Sequence, residues 1–177
     1  LDGADALMLS GETSVGDFPI ESVKIMARII ERTEEIALDQ IPPLKHSPAT
    51  KGGAITKAAT EVGLTVGAKY LVAFTQSGDS ARRMSRLRSP IPMLALTPDS
   101  GTYNRLALSW GVESMLTSVV NHTDEMVMQV DTILINSKRV NIGDLVLIVA
   151  GSPPGIPGSI NAMRVHKIGD AVSGVAP

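Results

Sequence analysis

Asp144-Leu145-Val146-Leu147-Ile148-Val149-Ala150 opens on one charge and continues as six apolar residues without a polar interruption. A strand wetted on one side alternates apolar with polar residues, whereas an unbroken apolar run requires cover on both faces. This stretch therefore reads as a buried strand of a parallel sheet with helices on both sides.

The segments before it repeat strand and helix. Tyr70–Phe74, Ile91–Leu96 and the weaker Val112–Leu116 read as strands. Between them, Ser80–Leu87 and the region around Thr102–Leu108 read as short helices, and Asp124–Lys138 as a long one. An Ala-rich helix over Ala54–Val66 precedes the first of these strands, with Ile55, Ala58, Ala59 and Val62 on one face. This rhythm builds a parallel sheet between two helical layers. Asn161–Ile168 breaks it, because about ten residues after Ala150 are too few for a parallel crossover. It should run antiparallel as an edge strand, with Met163, Val165 and Ile168 facing the core and Arg164, His166 and Lys167 facing water. The expected fold class is α/β: a three-layer α/β/α sandwich around a mixed five-stranded sheet whose last strand is antiparallel.

Toward the N-terminus, Asp5–Ser10 reads as a short buried strand. Pro19 then opens a helix that carries Ile20, Val23, Met26, Ala27 and Ile30 at helical spacing and fades near Leu38. Residues 39–50 hold Pro42, Pro43 and Pro48 and show no periodicity, so they read as a linker. The expected domains are 1–38, a linker at 39–50, and 51–177.

Composition narrows the function classes. The 177 residues are 44% hydrophobic and 19% charged, ordinary values for a soluble globular protein. No apolar run is long enough to span a bilayer, and no basic stretch with an apolar core marks a signal peptide at the N-terminus. The chain opens on Leu1, directly in apolar sequence, and reads as a piece of a longer protein. It contains no cysteine, which removes disulfides, thiolate nucleophiles and thiolate metal sites and is compatible with the cytoplasm. A net charge of −2 gives no electrostatic case for nucleic acid or an anionic membrane. Arg82, Arg83, Arg86 and Arg88 form a basic cluster without interleaved aromatics, which favours solvated charge or salt bridges. His46, His122 and His166 lack metal-ligand spacing and read as structural or surface residues.

Two loops could carry chemistry. Thr75-Gln76-Ser77-Gly78-Asp79-Ser80 lies between a strand and a helix, where hydroxyls, unpaired N–H groups and a positive helix end could hold an anion. Equally, Ser77 or Ser80 could only cap the helix while Gly78 eases the turn. A helix end contributes roughly 0.3–1 kcal/mol to holding an anion, while micromolar affinity needs about 8 kcal/mol. A second loop must therefore take part, and Gly151–Ser159 leaves the same sheet edge if its strand is parallel to Tyr70–Phe74. Open α/β sheets bind ligands outside such strand ends, where strand order reverses.

Three stretches carry a family resemblance. Leu1-Asp2-Gly3-Ala4-Asp5-Ala6-Leu7-Met8-Leu9-Ser10-Gly11-Glu12-Thr13, continued by Gly16-Asp17-Phe18-Pro19 and Glu31-Arg32-Thr33-Glu34, resembles a signature of pyruvate kinases. Pro154-Gly155-Ile156-Pro157-Gly158-Ser159-Ile160-Asn161 with Met163-Arg164-Val165 is similar to the C-terminal pattern of bacterial members, and Thr75–Ala81 to the family's effector-phosphate loop. The resemblance implies that 1–38 is the last strand and helix of a truncated (β/α)₈ catalytic barrel and that 51–177 is an allosteric effector domain. It implies a secondary catalytic role for Ser10 and Glu12 near a proton-donating water network, with the principal catalytic groups upstream of Leu1. It assigns the effector phosphate to Thr75, Gln76, Ser77, Gly78, Asp79, Ser80, Gly155 and Gly158.

By the same resemblance the longer enzyme converts phosphoenolpyruvate and ADP to pyruvate and ATP in glycolysis, with Mg2+ and K+, as a cytoplasmic homotetramer. This chain is expected to bind no metal or cofactor itself and to be inactive alone. Its expected partners are a phosphorylated sugar or nucleotide and further copies of itself. Fructose-bisphosphate-activated members carry a Trp-Arg pair in the second loop, where this chain has Pro153-Pro154, so a monophosphate effector is expected. The alternative is a free-standing phosphorylated-ligand-binding module without catalytic activity.

Overall fold

The structure, a computed structural model, describes residues 3–41, 48–154 and 158–173. The chain divides into two compact units, Leu1–Leu44 and Lys45–Pro177.

In the second unit, β1 (Tyr70–Phe74), β2 (Met93–Thr97), β3 (Val112–Leu116), β4 (Leu145–Gly151) and β5 (Ile160–Lys167) form one sheet in the order β3-β2-β1-β4-β5. β1 to β4 are parallel and β5 is antiparallel to β4. This is the mixed five-stranded architecture the sequence predicts. α3 (Lys51–Val66), α4 (Asp79–Ser85) and α5 (Ser100–Leu106) cover one face, where Ala59, Ala81, Met84 and Leu106 meet Leu71, Ala73, Leu147 and Val149. α6 (Thr123–Asn136) and the short α7 (Asp170–Ser173) cover the other, with Val127, Val130 and Leu134 against Val72, Leu94, Val146 and Ile148. β4 is apolar throughout because its alternate residues enter these two separate cores. Each fully buried Val, Leu or Ile side chain contributes roughly 1.5–3 kcal/mol.

Local chemistry fixes the helix positions. α3 begins at Lys51, three residues before the Ala-rich pattern, because Thr50 Oγ1 accepts the Gly53 N–H at 3.1 Å and caps it. Gly67, with φ of 67°, ends that helix in the left-handed conformation. Gly63 lets α3 pack close to β1: a Cβ there would lie 2.9 Å from Leu71 Cδ2.

Two expectations are corrected. Asp5–Ser10 forms no strand, and Leu7 and Met8 are 56% and 88% exposed. A strand needs a neighbour to take its backbone hydrogen bonds, and no pairing involves this segment among the described residues. Over residues 161–168 the expected faces are also reversed at Met163, Val165 and His166, while Lys167 is exposed and Ile168 buried as expected. His166 is buried, whereas Met163 and Val165 are 40% and 42% exposed. The reason is a partner on α6: His166 Nε2 lies 2.7 Å from Asp131 Oδ1, and both side chains are buried. Asp131 Oδ2 also accepts the Gly169 N–H at 3.0 Å. A polar residue can face inward where a buried carboxylate satisfies it. Among the named histidines, His166 is thus structural, and His46 lies outside the described residues.

The first unit holds α1 (Gly11–Ser14), α2 (Pro19–Ala37) and a turn of 3-10 helix at Leu38–Gln40. Neither α1 nor α2 has a buried residue. Half of the predicted linker, residues 42–47, lies outside the described residues.

Candidate functional site

β1 and β4 are neighbours in the sheet, and their connections leave in opposite directions along it, β1 toward β2 and β4 toward β5. This is where a crevice forms at the C-terminal strand ends of an open α/β sheet. A cleft lies there. The β1–α4 loop contributes Thr75, Gln76, Ser77, Asp79 and Ser80, and the β4–β5 connection contributes Gly151, Pro154, Gly158 and Ser159. Pro98 after β2, Thr117 to Val120 after β3, and Met126 at the start of α6 complete the wall.

The first loop is held from several sides. Thr75 Oγ1 accepts the Gly78 N–H at 2.9 Å, and Gly78 takes φ of 82°, a turn that suits glycine. Arg82 Nη2 donates to Ser77 O at 3.0 Å, and the buried Thr102 hydroxyl of α5 donates to Gln76 O at 2.7 Å. Arg83 Nε meets Asp79 Oδ2 at 2.6 Å, so the one acidic side chain on the cleft has a cation beside it. Arg83 Nη1 also donates to Thr50 Oγ1 at 3.1 Å, linking the loop to the α3 cap. Two of the four clustered arginines thus brace the loop. With its carbonyls engaged, the loop leaves the N–H groups of Ser77, Asp79 and Ser80 without an acceptor among the described residues. Ser80 lines the cleft at 3% exposure, and no hydrogen bond satisfies its hydroxyl among the described residues. α4 has only seven residues, so what the loop offers is these directed donors rather than a long helix dipole.

The second loop is built by Asn161, whose Oδ1 accepts the Ser152 N–H at 2.7 Å while its Nδ2 donates to Ser152 O at 2.6 Å. Gly151 packs tightly on Ser159: a Cβ there would force the Ser159 hydroxyl aside and lie 3.2 Å from Ser159 Cβ and O. Gly158 has φ of 74°. Gly155, the other glycine predicted here, lies outside the described residues.

The cleft therefore brings together Thr75, Gln76, Ser77, Asp79, Ser80 and Gly158, with Gly78 shaping the turn. Sequence reasoning missed Thr102, the bracing role of Arg82 and Arg83, and the walls from Pro98, Thr117–Val120 and Met126. One signal was available: in a parallel sheet the connections after β2 and β3 leave the same edge as those after β1 and β4. Nothing in the sequence ties Thr102 to Gln76, which is 26 residues away.

Ser10 and Glu12 belong to the other unit. Ser10 precedes α1, its side chain makes no capping hydrogen bond, and Glu12 Oε2 accepts the Ser10 N–H at 3.1 Å. Thr13 and Ser14 hydroxyls donate to Ser10 O. Gly16 packs on this turn so closely that a Cβ would meet Glu12 O at 2.6 Å. Among the described residues no group of three or more His, Asp or Glu could hold a metal ion.

Residues 53–166 match the family model described as the pyruvate kinase alpha/beta domain. The chain belongs to the pyruvate kinase family. It is 51% identical over 170 residues to the pyruvate kinase of Mycobacterium tuberculosis, an alignment covering 96% of this chain and 36% of that protein. The pyruvate kinase of Corynebacterium glutamicum is 45% identical over 170 residues, with 96% and 35% covered. A crystal structure of a pyruvate kinase from Cryptosporidium parvum superimposes with a TM-score of 0.81 at 25% identity, covering 94% of this chain and 34% of that one. The chain spans about a third of the length of these pyruvate kinases. The cleft lies within the segment matched to the alpha/beta domain.

Proposed function

We propose that the Lys45–Pro177 unit binds a phosphate monoester effector, with its phosphoryl group on the Thr75–Ser80 loop. The observation that carries this reading is Ser80, a nearly buried residue on the cleft wall whose hydroxyl makes no hydrogen bond to another described residue. The unpartnered N–H groups of Ser77 and Asp79 lie beside it. Hydrogen bonds to a charged group contribute roughly 1.5–3 kcal/mol each, so four or five of them approach the 8 kcal/mol of micromolar binding. No Lys, Arg or His stands among the described residues that line the cleft, which supports one phosphate rather than two. Thermal unfolding of the chain with ribose 5-phosphate, glucose 6-phosphate, AMP and fructose 1,6-bisphosphate tests this. A monophosphate at 100 times its Kd should add about 2.7 kcal/mol of stability. Larger stabilisation by the bisphosphate, or none by any of them, would reject the reading.

In the longer enzyme this unit acts as the regulatory part of a phosphotransferase that converts phosphoenolpyruvate and ADP to pyruvate and ATP. Kinship to pyruvate kinases of about three times this length supports that role. Residues 1–38 then belong to the end of the catalytic barrel, with α2 as its last helix. There Ser10 and Glu12 play a secondary part, and the Mg2+ and K+ sites are formed by residues outside this chain. The exposed outer edge of β5, with Met163 and Val165 beside it, supports self-association in a tetramer. No helix among the described residues is long and apolar enough to cross a membrane. A coupled phosphoenolpyruvate assay should find this chain inactive by itself, and turnover would overturn that assignment.

A further inference from the structure

We infer that Thr102 is a positioning residue of the cleft: from α5 it fixes the Gln76–Ser77 peptide so that the Ser77 N–H is presented to the bound phosphoryl oxygen. The inference rests on the effector reading above and names the group that shapes its anion loop.

Two hydrogen bonds orient the Thr102 hydroxyl. Arg105 Nη2 lies 2.9 Å from Thr102 Oγ1, and a guanidinium can only donate. The hydroxyl accepts from Arg105 and donates to Gln76 O at 2.7 Å, the acceptor in hydrogen-bond geometry, with the Asp99 carboxylate also near it. Thr102 has no exposed surface, so water does not compete for that proton. In a trans peptide the carbonyl and the following N–H point in opposite directions. Drawing Gln76 O toward α5 thus turns the Ser77 N–H away from α5. The loop is pinned at the next peptide as well, where Arg82 holds Ser77 O and Thr75 Oγ1 takes the Gly78 N–H.

Thr102 is itself held in place. Asp99 caps α5 by accepting the Thr102 N–H. That N–H first, then the Thr102 hydroxyl and Arg105, keep the Asp99 carboxyl below its ordinary range. A purely local role for a helical threonine looks different. Thr56 and Thr60 return their hydroxyls to Gly52 O and Thr56 O within their own helix. Thr102 sends its proton across to another segment.

Thr102→Val keeps the shape and removes the hydroxyl, while Thr102→Ser keeps the hydroxyl. Two readouts on the whole chain test the inference: the Kd for ribose 5-phosphate, and amide hydrogen exchange without ligand at Gly78, whose N–H is bonded to Thr75 Oγ1 in the same loop. Thr102→Val should weaken ribose 5-phosphate binding about 3- to 12-fold and accelerate Gly78 exchange, with Val72 in β1 unchanged. Thr102→Ser should restore both. Wild-type affinity in Thr102→Val, or equal losses in the two variants, would overturn the inference. Should Thr102→Val fail to fold, Arg105→Leu frees the hydroxyl to rotate at a mostly exposed position, and Gly78 exchange should still rise. An unchanged Gly78 amide would overturn the anchor. If the wild-type chain binds no monophosphate, the effector reading fails, and Gly78 exchange alone then judges whether Thr102 holds the loop.

Discussion

α2 and α3 make opposite use of their sequences. α2 carries large apolar residues at helical spacing, yet Ile20, Val23, Ile25, Ile29 and Ile36 are all about half exposed or more. α3 is lined with small residues, and Thr56, Ala59, Thr60 and Gly63 are buried against the sheet. The more strongly patterned helix thus has no fully buried residue, only half-buried ones such as Met26 and Ile30, and the plainer one is part of a core. An amphipathic repeat specifies which face of a helix avoids water, but burial requires a surface shaped to receive that face. α3 has one because its small residues let the backbone settle onto the sheet, over β4 and β5 and against Leu71 of β1.

The contrast can be broken most forcefully on the other side of the sheet. Asp131 of α6 is fully buried and holds both His166 and the Gly169 N–H. Removing one member of a buried pair leaves its partner unsatisfied, so Asp131→Ala should cost about 3–5 kcal/mol in urea unfolding. A loss under 1 kcal/mol would show that α6 needs no such tie. Next in size is Gly63→Ala, which adds a single carbon where α3 meets β1. The new Cβ would lie 2.9 Å from Leu71 Cδ2 and 3.2 Å from Ile91 Cδ1. Alanine favours the helix by roughly 0.8–1 kcal/mol, but overpacking costs about 1–3 kcal/mol, so a net loss near 1 kcal/mol is expected. A net gain would mean that Leu71 and Ile91 give way and that the approach is looser than the distances indicate.

The same contrast explains what could be read in advance. The five strands of the sheet, their parallel run and the antiparallel last strand follow from β4's apolar run and the short connection after it. Asp5–Ser10 has an equally strand-like composition, but strand formation depends on a neighbour, and composition carries no information about one. Part of β5 was misassigned for a related reason. Alternation puts Val165 inside, whereas the burial of His166 depends on Asp131, 35 residues away. The cleft was half legible. Its two loops are local runs of Ser, Thr and Gly, whereas the Thr102 anchor and the walls after β2 and β3 exist only once the sheet assembles.

The smallest expected effect bears most directly on α2. Ile29 is 60% exposed, so truncation to alanine removes little buried surface, and alanine is the better helix former. Ile29→Ala should therefore change stability by no more than about 0.5 kcal/mol in either direction. Deleting three carbons here should thus matter less than adding one at Gly63. A loss above about 1 kcal/mol would mean that this face is covered in solution. Measuring the loss at several protein concentrations then identifies the cover: a contact between copies weakens on dilution, while a contact within one chain does not.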